Sequence, residues 1–385
     1  MLRRSHKKSK KGCLQCKRRH VKCDEGRPAC LLCTMTSRDC SFTSEEATSS
    51  ASDLSSRESL FPSQSHPATS TTSATPPNNH GTPFDKAVNM EHMTLFVHLV
   101  TNKDLFSLGD NVDDYQSNFD VCIKESVKAP YLLHQLLAFS ARHLAAIHTD
   151  RTSHYLDQAV SLQTKAISLF NETRREVDSS NCVAILLFSV TLGHHLLADA
   201  LAYRGPDGLD GFLAHYIQCV DLNRGIYNVV VSAWPLLASS ELEPILSWSK
   251  NESAKKPRGT ECLPIVKLIT DSPSLTKEEK QVCRVAIDYL QLGFDAMTSQ
   301  VERTRSRMIF QWTMLASPDF TILLSARKPE ALILLSYYAL LLHHARELWQ
   351  VGDTGTYLMN LIVDYLPPKW HFWLEYPRRM LVEIC

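Results

Sequence analysis

Nowhere in these 385 residues is there an unbroken apolar run of the roughly 20 residues that a membrane-crossing helix needs. Residues 182–192 run into His194, His195 and Asp199, and residues 331–342 into His343 and His344, so both read as buried helices and no membrane span is expected. The N-terminus lacks the apolar core of a secretory leader, which points to an intracellular chain with reduced thiols. G-x-S-x-G, H-E-x-x-H and G-x-G-x-x-G are all missing, and Gly205, Gly208 and Gly211, each separated by two residues, fall in a helix–helix loop. No enzyme is expected. There is no sustained apolar–polar alternation either, so no sheet is expected.

Net charge is absent as well, with 41 Lys and Arg against 41 Asp and Glu, but the balance conceals a polarity. Residues 1–40 carry twelve basic residues against three acids (Asp24, Glu25, Asp39), leaving 29 against 38 for the rest. Only the first forty residues suit a polyanion. Six of the twelve cysteines lie there, Cys13, Cys16, Cys23, Cys30, Cys33 and Cys40, spaced C-x2-C-x6-C-x6-C-x2-C-x6-C. Thiolates are soft ligands, and a structural zinc takes four in a closed tetrahedron. Two ions need eight bonds from six sulfurs, so two cysteines must bridge, and the spacing is an internal repeat of one loop-helix half per ion. A disulfide knot could use the same residues, but a chain this long needs no staples to hold a core. Cys122, Cys182, Cys219, Cys262, Cys283 and Cys385 are dispersed without a C-x-x-C pair and read as core thiols; His194/His195 and His343/His344 read as packing histidines.

The spacing, the basic run Lys17-Arg18-Arg19-His20-Val21-Lys22 and Pro28 before Cys30 resemble the fungal Zn2Cys6 zinc-cluster transcription factors. The resemblance implies two Zn2+ per chain, bridged by the first and fourth cysteines, here Cys13 and Cys30. Cys16 and Cys23 would complete one ion, Cys33 and Cys40 the other. It also implies double-stranded DNA as partner, the transcription machinery beyond it, and the nucleus as location. Lys17, Arg18, Arg19, His20 and Lys22 crowd the first half of the repeat, whereas Thr34, Met35, Thr36, Ser37, Arg38 and Asp39 fill the second, so the first half is the DNA-reading one. In the family a lysine four residues after the second cysteine reads guanine; here that position is His20. A neutral imidazole offers one hydrogen bond per ring nitrogen, so guanine reading is expected from Arg18 or Arg19. Two Zn2+ and six thiolates leave a net charge of about −2, which part of this basic run offsets. Upstream, Arg3, Arg4, Lys7, Lys8, Lys10 and Lys11 form a basic arm suited to phosphate contact, nuclear import or both.

The expected organisation is a basic arm and Zn2Cys6 domain over 1–42, a Ser/Thr/Pro linker over 43–83 and an all-α regulatory domain over 84–385. A flexible tether of that length spans roughly 35 Å. It carries no heptads, so a homodimer would form through the helical domain. Apolar periodicity predicts helices at 90–99, 132–147, 155–170, 180–202, 209–228, 276–300, 301–316, 329–350, 353–365 and 370–384. Segments of this region, among them Leu136-Leu137-Ala138-Phe139-Ser140-Ala141-Arg142-His143, Arg327-Lys328-Pro329-Glu330-Ala331-Leu332 and Trp373-Leu374-Glu375-Tyr376-Pro377-Arg378, resemble fungal regulators related to sterol uptake control proteins. That likeness implies RNA polymerase II regulation of sterol-related or secondary-metabolite genes and an apolar, sterol-like ligand. The alternative is a zinc-cluster interaction or corepressor protein that no longer reads DNA, since His20 departs from the family.

Overall fold

The computed structural model describes residues 12–18, 23, 25, 30, 33, 40–41, 88–102, 105, 113–173, 176–297, 309–310, 312–313 and 317–383. The chain divides into two units, Met1–His80 and Gly81–Cys385, and no strand occurs among the described residues. The linker expected over 43–83 lies outside the described residues, as does the helix expected over 301–316 except at 309–310 and 312–313, which are helical.

The first unit contributes α1, Leu14–Arg18. In the second unit follow α2 (Met90–Thr101), α3 (Asp113–Lys128), α4 (Pro130–Ile147), α5 (Thr152–Thr173), α6 (Cys182–Leu201), α7 (Gly208–Ser232), α8 (Trp234–Leu237), α9 (Glu243–Ser253), α10 (Leu263–Asp271), α11 (Lys277–Met297), α12 (Pro318–Ser325), α13 (Pro329–His344), α14 (Thr354–Tyr365), a 3-10 turn (Pro368–Leu374) and α15 (Glu375–Glu383). Side chains start several of these. Asn89 accepts from the His92 amide at 3.0 Å ahead of α2, and Ser317 from the Phe320 amide at 3.2 Å ahead of α12. Thr276 and Glu279 cap each other reciprocally before α11, at 2.8 and 3.2 Å. Pro130, Pro318 and Pro329 each open a helix where a missing amide costs nothing.

α4 packs along α5 and also meets α2, α3 and α6. Leu95, Leu137, Ala138, Ala141, Ala159 and Leu162 bury one side of this layer, while Leu132, Leu136 and Phe139 meet Ala184, Ile185 and Phe188 on the other. A second, larger core forms around α13, in which every residue from Glu330 to His343 is buried. A helix apolar all round can only be central. α10, α11, α12, α14 and α15 pack against it, and α14 approaches closely at Gly355, where a Cβ would lie 2.5 Å from the Ala339 carbonyl and from the His343 amide nitrogen. α6 is long and apolar enough to cross a bilayer by composition, yet its buried residues join the cores it shares with α4 and α7. A polar seam also ties it down: Arg142 donates to Asp199 at 2.6 Å and to the Ala198 carbonyl at 3.2 Å, and lies 5.9 Å from the Trp349 ring.

Five helices depart from expectation: α3 and α9 are polar on average, and α8, α10 and α12 are apolar but only 4, 9 and 8 residues long, too short to set up a recurrent stripe. The helix expected over 329–350 ends at His344, and residues 345–353 form turns. That expected over 370–384 begins as the 3-10 turn before becoming α15.

Candidate metal centre

α1 exists to aim sulfurs. Cys13 sits just before it and Cys16 one turn in, and the Lys17 amide bonds the Cys13 carbonyl at 3.1 Å to close that turn. The Cys33 amide bonds the Cys30 carbonyl at 3.0 Å, a tight turn at the equivalent point of the second half-repeat. Cys13, Cys16, Cys23, Cys30 and Cys33 are buried, and Cys40 is half-buried.

The sulfurs fall into two sets of four, Cys13, Cys16, Cys23, Cys30 and Cys13, Cys30, Cys33, Cys40, all Sγ atoms of a set lying within 4.8 Å of one another. Two ligands 2.3 Å from a tetrahedral zinc are about 3.8 Å apart. Cys13 to Cys30 is 3.6 Å, Cys13 to Cys33 3.6 Å and Cys16 to Cys30 3.7 Å, each an edge of a tetrahedron in its own set. A disulfide would need about 2.05 Å, far shorter than any of these separations. Two tetrahedra sharing the Cys13–Cys30 edge fit two zinc ions.

The chain carries a fungal-type Zn2Cys6 zinc cluster. Residues 11–49 match the fungal Zn(2)-Cys(6) binuclear cluster domain, which binds two zinc ions. Sterol uptake control protein 2 of Saccharomyces cerevisiae is 58% identical over 41 residues, 11% of this chain and 4% of that protein. The transcriptional regulatory protein moc3 of Schizosaccharomyces pombe is 56% identical over 34 residues, 9% of this chain and 7% of its own length. These two likenesses therefore concern the cluster alone. A Zn(2)-C6 fungal-type transcription factor of Gibberella zeae is similar throughout, 22% identical over 99% of this chain and 87% of the relative. Together they place a fungal-type zinc-cluster domain in residues 11–49 and show that the chain as a whole is similar to one fungal zinc-cluster transcription factor.

Amide groups are turned toward the cluster sulfurs. Cys13 and Glu25 donate to the Cys23 sulfur at 3.4 Å, Cys16 to that of Cys13 at 3.4 Å and Cys30 to that of Cys40 at 3.2 Å. Such bonds disperse thiolate charge and orient the ligands. Glu25 adopts a φ of 60°, the left-handed region, to deliver its amide. Burial pushes the Cys13 thiol up, but the Cys16 amide and the thiols of Cys16, Cys33 and Cys30 outweigh it and hold Cys13 down at about 6. Burial pushes Cys16 up to about 12 and raises Cys30 and Cys33 as well. Zinc must expel these protons, so metal binding releases acid.

Lys17 and Arg18 stand exposed on α1. Arg19, His20 and Lys22, and the arm residues Arg3, Arg4, Lys7, Lys8, Lys10 and Lys11, lie outside the described residues. One feature escaped the sequence. Gln15 reaches across to Ser41, accepting from its amide at 3.0 Å and donating to its hydroxyl oxygen at 3.0 Å, while the Leu14 amide meets the Ser41 carbonyl at 2.9 Å. This clasp closes the cluster's two ends, and neither residue type marks it in advance.

Proposed function

We propose that the protein is a nuclear, sequence-specific regulator that binds double-stranded DNA through the first half of its zinc cluster. The two sulfur sets sharing Cys13 and Cys30 carry the reading, because they make α1 a rigid platform on which Lys17 and Arg18 face solvent. In this reading Cys16 and Cys23 are terminal ligands of one ion, Cys33 and Cys40 of the other. Arg18, Arg19 and His20 read bases, while Lys17, Lys22 and the basic arm hold phosphates. Selecting binders from a randomised duplex pool with the purified protein tests it. An enriched motif that Arg19→Ala alters supports base reading; enrichment of no sequence would favour the corepressor alternative. Each phosphate contact neutralised should flatten the log-log salt dependence by about 0.9.

Dimerisation belongs to the second unit. Met90, Met93, Val97 and Val100 repeat at a/d spacing along α2 and are 70%, 41%, 52% and 42% exposed, a seam of the kind that pairs with a second copy. Ligand control is the further part of this reading. An open depression of about 580 Å³ is lined by Pro264, Tyr337, Phe372, Trp373, Tyr376 and Val382 together with the charged Glu375, Arg378 and Arg379, and the buried Tyr337 hydroxyl has no hydrogen-bond partner. A sterol or similar amphipathic molecule with one acceptor suits it, and sterol-related or secondary-metabolite genes are the matching targets. A ligand at a hundred times its dissociation constant should stabilise the protein by about 2.7 kcal/mol; an unmoved melting temperature across sterols and polyketides would remove this part and leave DNA binding standing.

A further inference from the structure

Between α9 and α10 the chain runs Lys255-Lys256-Pro257-Arg258-Gly259, without helix or turn from 255 to 259, and residues 254–260 are all exposed. Sequence alone disposes this strip to be extended. Pro257 fixes its own φ and excludes the helical region for Lys256. The rest of the chain then holds it. Asp295 on α11 accepts from the Arg258 amide at 2.7 Å and the Gly259 amide at 2.8 Å. Gln291, one turn earlier and 5% exposed, donates to Asp295 at 2.9 Å and to Glu261 at 2.6 Å, and accepts from the Cys262 amide at 2.9 Å. The fit is close at Gly259, where a Cβ would lie 2.3 Å from Gln291 Nε2, 2.3 Å from Glu261 Oε2 and 2.6 Å from Asp295 Oδ1. Asp295 thus grips the main chain of the strip at its base and Glu261 that of the next residue, Thr260, while three cations in four residues are exposed.

A charged surface loop that served only solubility would not need a glycine wedged against a buried amide and two carboxylates. Nor does the surrounding charge suit a duplex, since beyond residue 40 the chain holds 29 basic against 38 acidic residues, and Asp295 and Glu261 stand directly beside the strip. The partner that fits is a narrow acidic groove that reads an extended basic peptide residue by residue, the chemistry of a nuclear-import receptor. We propose that residues 255–258 are a second nuclear-import signal, independent of the basic arm and preformed on the helical unit. The assignment rests on the nuclear reading given above.

The test uses the full chain fused to a fluorescent protein in fungal cells, in four forms: unaltered; with Arg3, Arg4, Lys7, Lys8, Lys10 and Lys11 changed to Ala; with Lys255, Lys256 and Arg258 changed to Ala; and with both sets changed. The first two forms should be nuclear and the fourth cytoplasmic. With the arm set already changed, the purified chain should bind an import receptor at least about tenfold more weakly when the loop set is changed as well. Its melting temperature should stay constant, because the substituted side chains are exposed. Cytoplasmic arm variants, or a nuclear fourth form, would overturn the second signal while leaving the nuclear reading intact. Exclusion of the unaltered chain from the nucleus would overturn both. If the loop set instead lowers DNA affinity and leaves localisation untouched, the strip is a phosphate contact and the proposal fails.

Discussion

The two units are held by opposite means. Around Cys13 and Cys30 the interior is sulfur, and what holds it is coordination to two ions supported by amide-to-sulfur bonds. Around α13 the interior is hydrocarbon, with Leu332, Leu334, Leu335, Leu340, Leu341 and Leu342 almost wholly buried and each contributing about 1.5–3 kcal/mol of transfer free energy. A short segment cannot bury enough apolar surface to offset its conformational entropy, so it takes a metal; a helical unit of this size needs none. The contrast teaches that one chain can hold two interiors with separate failure modes.

The strongest challenge to that contrast is chelation. Structural zinc supplies about 10–16 kcal/mol of folding free energy in small domains, so removing it should abolish the cluster's fold and leave the far-UV circular dichroism transition of the helical unit in place. Cys13→Ala or Cys30→Ala should lose both ions in native mass spectrometry. Cys16→Ala should retain one, because its sulfur belongs to a single set. A helical transition that moves on chelation would show that the two interiors share their stability. In the opposite direction, Gly355→Ala drives a methyl into the backbone of α13 and should lower helical stability by about 3 kcal/mol in urea denaturation, with the zinc stoichiometry unchanged.

Acid should probe the hydrocarbon interior more gently. Burial holds His194 and His195 down at about 4, below their ordinary 6.5. Their neutral forms are favoured in the fold, so the unfolded chain binds more protons between those values and stability falls as pH falls from 6.5 toward 4. For the buried His195 imidazole the loss is about 2 kcal/mol by pH 5, and less for the half-buried His194. His194 packs between Phe139 and Phe310, with Nδ1 lacking a partner, so His194→Leu should flatten the acid limb of the stability curve. An unchanged limb would place the titration elsewhere. The smallest effect belongs to the clasp: Gln15→Ala should cost about 1 kcal/mol, seen as faster zinc loss to a chelator with no change in the helical transition.

The same contrast explains what could be read in advance. Coordination dictates residue type and spacing, so the repeat from Cys13 to Cys40 announced two ions from the letters alone, and the geometry of two edge-sharing sets agrees with it. Packing speaks less clearly. α2, α4, α5 and α6 carry recurrent apolar positions and were legible, whereas α3, with its polar opening Asp-Asp-Tyr-Gln-Ser-Asn, takes its place from neighbours rather than from its own pattern. α13 was anticipated but overrun by six residues, because apolar Leu348, Trp349 and Val351 continue past its true end at His344. The Thr276–Glu279 capping pair is a Thr-x-x-Glu signature that marks the start of α11. Gln15 and Ser41 left no signature, since what joins them is the approach of two segments brought together by the sulfurs.

The shared edge also sets an order in time. The set of Cys13, Cys16, Cys23 and Cys30 is complete once Cys30 has left the ribosome, ten residues before Cys40 finishes the other. A nascent chain therefore meets its first ion with a full set of ligands and its second with the Cys13–Cys30 edge already in position. Where loading accompanies synthesis it would run from the N-terminal half toward the C-terminal one, and a cell short of zinc would then accumulate chains whose basic half is built and whose closing half is not.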